Sequence, residues 1–61
     1  MDLDSYVGKR CKIELTNSFY FEGKVIQVLE DSIILIDKKG QRVTLPKTSI
    51  FLIREVSNGS N

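Results

Sequence analysis

Two stretches of this chain, Ile33-Ile34-Leu35-Ile36 and Ile50-Phe51-Leu52-Ile53, run apolar without a polar break. Each reads as a β-strand that is covered on both faces. The whole chain has 61 residues, enough for one domain with one small core. One core cannot cover both faces of both strands. An apolar strand left at a sheet edge invites another chain to pair with it. The pattern therefore predicts association between identical copies. A head-to-tail contact of this kind closes into a ring when the rotation allows.

The usual supports of a small domain are mostly missing. A single cysteine, Cys11, cannot form an internal disulfide, and with no histidine there is no zinc ligand set. Cys11 itself reads as a small buried hydrophobe. Oligomerisation is the support that remains. Nine Lys/Arg against eight Asp/Glu give a net charge of +1, too balanced to announce nucleic acid by bulk charge. The lone cysteine and the lack of a signal peptide or long apolar run predict a soluble cytoplasmic protein without a membrane partner.

Along the chain, Asp2 or Asp4 caps a short N-terminal helix that Gly8 ends, with Leu3 and Tyr6 plugging one end of the core. Cys11, Ile13 and Leu15 alternate with Lys12, Glu14 and Thr16 in a half-buried strand. Asn17-Ser18 is a two-residue turn in which Asn tolerates positive φ. Phe19, Phe21, Gly23 and Val25 share one phase of the next strand, and Ile26 and Val28 switch to the other. A phase switch beside a glycine predicts a bend or bulge. After the polar turn Glu30-Asp31-Ser32 comes the apolar strand to Asp37, then a hairpin Lys38-Lys39-Gly40-Gln41 with Gly40 left-handed. Val43 and Leu45 alternate in a fourth strand that Pro46 ends, and Ile50 to Val56 is a fifth. The expected fold is all-β: a short N-terminal helix plus a five-stranded, strongly bent antiparallel barrel over residues 1–56, with 57–61 a solvated tail.

From Val7 to Val56 this pattern resembles the Sm-like (LSm) family and its Hfq branch. Gly8-Lys9-Arg10 resembles the helix-to-strand junction, Phe21-Glu22-Gly23-Lys24-Val25 the aromatic-x-Gly-x-Leu core of the first motif, and Val43 to Ile53 the second motif. The resemblance implies rings of five to seven subunits, the fourth strand of one subunit pairing with the fifth of the next. Val43, Leu45, Ile50, Phe51, Leu52 and Ile53 would form that interface. It also implies single-stranded RNA binding around a central pore, as a chaperone or scaffold. The family's uridine pocket is not matched: the first loop, Leu29-Glu30-Asp31-Ser32-Ile33, has neither Asn nor an aromatic, and Leu45-Pro46-Lys47 lacks Arg-Gly.

The candidate RNA-binding residues are Lys47, Thr48, Ser49, Asp31, Ser32 and Tyr20. A ring would repeat Lys47 as a circle of charge facing phosphate. Ser32 would bond a base edge. Tyr20, out of phase with its apolar neighbours, would be a stacking platform. Lys38 and Lys39 read as a charged hairpin tip. A second reading stays open: a protein-interaction or structural module on an SH3-like barrel, without nucleic acid. Near-neutral charge and acidic Glu30-Asp31 favour it. No catalytic constellation and no cofactor site is expected.

Overall fold

The computed structural model describes residues 3–56. It contains five antiparallel strands: β1 (Arg10–Leu15), β2 (Tyr20–Val28), β3 (Ser32–Asp37), β4 (Arg42–Pro46) and β5 (Ile50–Glu55). The expected tail at 57–61 lies outside the described residues. Strand order is β4-β3-β2-β1-β5 in one sheet. The sheet is open, so barrel closure is not supported: β4 and β5 are its two edges and do not pair with each other.

The N-terminal segment is a single 3-10 turn, Asp4–Tyr6, rather than an α-helix. Its bonds are Tyr6 N–H to Leu3 C=O at 3.0 Å and Val7 N–H to Asp4 C=O at 3.2 Å. Gly8, at φ +87°, stops the coil before an α-helical turn can propagate. Leu3, not an aspartate, holds the cap position. Leu3 is nonetheless buried and Tyr6 packs beside it, so the segment plugs the core as expected.

The hairpins are built alike. In the first, Leu15 N–H bonds Phe19 C=O at 2.8 Å and Ser18 N–H bonds Leu15 C=O at 3.1 Å. In the second, Asp37 N–H bonds Gln41 C=O at 2.9 Å and Gly40 N–H bonds Asp37 C=O at 3.0 Å. Each spans three residues and places its third in the left-handed region, Ser18 at φ 77° and Gly40 at φ 82°. The first connection is thus not the two-residue turn expected, and Ser18 rather than Asn17 takes positive φ. Asn17 instead accepts the Phe19 N–H on Oδ1 at 3.0 Å. Phe19, which shared the core phase on paper, is 69% exposed because it precedes the strand.

The phase switch in β2 is a register shift between Val25 and Gln27 in the pairing with β3. Gly23 has a separate role. A Cβ there would collide with the Ile36 carbonyl oxygen and sit 2.9 Å from Leu35 Cδ1. Strands β2 and β3 approach this closely only because the side chain is missing.

One face of the sheet encloses the core of Leu3, Cys11, Ile13, Val25, Ile33, Leu35, Leu45 and Ile53. Leu45 and Ile53 come from opposite edges yet share one cluster, so the sheet curls over its own face. Ile33, Ile34 and Leu35 are all buried within one chain: Ile33 and Leu35 lie in the core cluster, and Ile34, on the other face, is 8% exposed. On β5, Phe51 and Leu52 stay 69% and 44% exposed. The buried Cys11 thiol is pushed above its ordinary 9.0, first by burial and then by the charge of Glu55, with Lys9 opposing.

Three outcomes follow. Ser18→Gly relieves left-handed strain and raises stability by about 1 kcal/mol, about 4–8 °C in Tm for a domain of this size. Gly23→Ala costs about 3 kcal/mol, against a total of roughly 3–9 kcal/mol for a chain this long; thermal melts followed by circular dichroism read both. A raised native thiol pKa means the unfolded chain releases its proton first as pH rises. Stability therefore falls as pH climbs through about 9, and the fall is shallower in Cys11→Ala under denaturant titration.

Candidate nucleic-acid interface

Lys47, Thr48 and Ser49 form a second 3-10 turn that joins β4 to β5. Pro46 leads into it with extended backbone, and no side chain caps it. Its ends are tied to two other strands. Lys47 N–H bonds Asp31 C=O and Thr16 N–H bonds Ser49 C=O, both at 2.9 Å. Ser32 pairs with Pro46 in the β3–β4 ladder. The structure thus gathers Lys47, Thr48, Ser49, Asp31 and Ser32 into one surface. Thr48 and Asp31 are exposed, and Lys47, Ser49 and Ser32 are half-buried.

Tyr20 opens β2, outside the β2–β3 ladder, and pairs with Glu14 of β1. It is 58% exposed, and the Lys12 ammonium sits over its ring, 4.4 Å from the centroid. The ring thus carries a cation against one face.

Strand register reveals charge that the linear sequence disperses. Directly paired residues Arg42, Ile36, Lys24 and Arg10 make one row across β4, β3, β2 and β1 on the outer face. The next row runs Arg54, Lys12, Glu22. The outward strand positions carry Arg10, Lys12, Lys24, Arg42 and Arg54 against Glu14 and Glu22. That face holds a surplus of three positive charges on a chain whose net charge is +1. Glu22 is further engaged by Arg10, Nε to Oε2 at 3.5 Å. Sequence reading missed this face. Its signal was the set of cations in the polar phase of the strands, but only the register places them side by side.

The six residues expected to form an interface divide by environment. Leu45 and Ile53 are buried in the chain's own core, and Val43 and Ile50 pack against it. Phe51 and Leu52 face solvent. Among the described residues, no group of three or more His, Cys, Asp and Glu is placed to hold a metal ion, and no helix is long and apolar enough to cross a membrane. No protein-family model, curated protein or solved structure matches the chain.

The charge asymmetry has a measurable consequence. At neutral pH the protein is retained on immobilised heparin more strongly than a +1 chain with evenly mixed charge. Lys24→Glu with Arg42→Glu elutes at distinctly lower salt. Equal retention of the two proteins would mean that the row does not act as a unit.

Proposed function

We propose that this chain assembles head-to-tail through β4 and β5 into a closed ring of five to seven subunits that binds single-stranded RNA as a chaperone or scaffold. The observation that carries this reading is the pair of unpaired edges. The bonds bracketing the β3–β4 pair run from Asp37 N–H to Gln41 C=O and from Lys47 N–H to Asp31 C=O. They set the alternation so that Val43 and Leu45 bond to β3 while Arg42 and Thr44 turn their backbone groups outward. On β5, the Val56 N–H bond to Arg10 C=O sets a matching alternation, so that the backbone groups of Ile53 and Glu55 point away from β1 while the Ile53 side chain stays in the core. Each chain therefore offers two different strand edges, which is what a head-to-tail contact requires.

Phe51 and Leu52 support the same reading, since an added strand covers exposed apolar surface on β5. The strand order leaves as edges the two strands that the Sm-like resemblance pairs between subunits. RNA is supported by the outer cation row, by Tyr20, and by the Lys47–Ser49 turn that a ring would multiply. The reading assigns binding to the chain and no catalysis.

Light scattering tests the assembly. The wild type is expected at several times the monomer mass. Thr44→Pro removes an outward N–H while leaving the β3-facing bonds in place, and yields a folded monomer. A monomeric wild type would overturn the ring. For RNA, affinity falls steeply with salt, and Lys47→Ala with Tyr20→Ala weakens it about tenfold or more. A ring indifferent to RNA would leave the protein-interaction reading, which exposed Phe19, off both edges, favours.

A further inference from the structure

Where the start of β2 passes the β3–β4 hairpin, an open cleft of about 300 Å³ is lined by Tyr20, Glu22, Asp37, Lys38, Lys39 and Gln41, among others. This volume is at the lower end for small-molecule sites. Its two acids and two lysines balance in charge but are not equally engaged. Glu22 is engaged by Arg10 at 3.5 Å. Asp37 Oδ1 accepts the backbone N–H groups of Lys39 and Gln41, both at 2.9 Å. The Lys38 and Lys39 ammonium groups enter no ion pair among the described residues, and both side chains are exposed. Both carboxylates keep their charge but are held by partners, whereas the two ammonium groups enter no ion pair among the described residues.

We infer that this cleft holds a single nucleotide per subunit, its base on the Tyr20 ring and its phosphate at Lys38 and Lys39. Tyr20 supplies a flat face already flanked by the Lys12 cation, and base–aromatic stacking accepts any base. Gln41 carries both an amide donor and an acceptor at the rim for the edge of the base. The lysines act as mobile point charges suited to a terminal phosphate. Asp37 serves the site indirectly: by taking two loop N–H groups it fixes the hairpin that carries both lysines. The inference deepens the RNA reading by naming the unit each subunit holds, yet the cleft lies within one chain and needs no ring. The nucleotide can be free or part of a strand.

The test is an amide-resolved NMR titration of the full chain with adenosine 5′-monophosphate, adenosine and ribose 5-phosphate. The monophosphate is expected to shift the amides of residues 20–22 and 37–41, and each part-ligand to bind at least tenfold more weakly. Tyr20→Leu, and separately Lys38→Gln with Lys39→Gln, each reduce its affinity about tenfold or more, with the rest of the spectrum unchanged. Shifts elsewhere only, an unchanged affinity in either variant, or equal binding of an acidic peptide would overturn the assignment. A short oligonucleotide separates the sources. If it shifts the same amides, the cleft serves RNA. If the monophosphate does and the oligonucleotide binds nowhere on the chain, the cleft stands as a free-nucleotide site and the RNA reading fails. If the oligonucleotide binds solely around residues 47–49, the RNA reading stands without the cleft, which is then kept only as a free-nucleotide site by the monophosphate shifts and overturned by their absence.

Discussion

Three residues, Lys47 to Ser49, connect strands that lie at opposite edges of a five-stranded sheet. Adjacent strands are about 4.8 Å apart, so the edges of a flat sheet this wide would stand roughly 19 Å apart. A link this short cannot span that distance, at about 3.5 Å per residue, without the sheet curling. The curl is what lets Leu45 and Ile53 meet in one core. It also brings the Asp31 carbonyl and the Thr16 amide to the same turn. Gly23 makes the curl sterically possible, since a side chain at that point would strike the β3 backbone.

Local features of this architecture were legible in the sequence. The alternation of Cys11, Ile13 and Leu15 marks a strand with one buried face, and all three lie in or against the core. The phase switch after Val25 marks a register shift, and Gly40 marks a left-handed turn position. These signals are carried by neighbours in sequence. Ser18 was less legible, because which loop residue takes positive φ depends on where the ladder closes and not on which residue tolerates it best. Whether the barrel closes is also non-local, since it turns on whether residues near 44 and 53 pair.

The candidate site divides the same way. Lys47, Thr48, Ser49, Asp31 and Ser32 were named one loop at a time, and the fold brings them together through one backbone bond and one ladder pair. The outer row escaped because its members, Arg10, Lys24 and Arg42, are far apart in the chain and become neighbours only through three successive registers. Near-zero net charge hid it further, since acids elsewhere balance the total. Lys38 and Lys39 were seen as a hairpin tip, and the engagement of the nearby carboxylates by Arg10 and by loop amides is a matter of geometry that composition does not carry.

The twin hairpins share their backbone bonds but differ in their side-chain bonds. The β3–β4 turn has glycine at its left-handed position and two amides held by Asp37. The β1–β2 turn has serine there and one side-chain bond, from Asn17. Local opening follows the weaker turn. Hydrogen exchange is therefore expected to be faster at residues 17–19 than at 38–41, Thr16 being held by its bond to the Ser49 carbonyl. By this expectation the hairpin leading into Tyr20 is the yielding wall of the cleft, and the lysine-bearing hairpin is the anvil against which it adjusts.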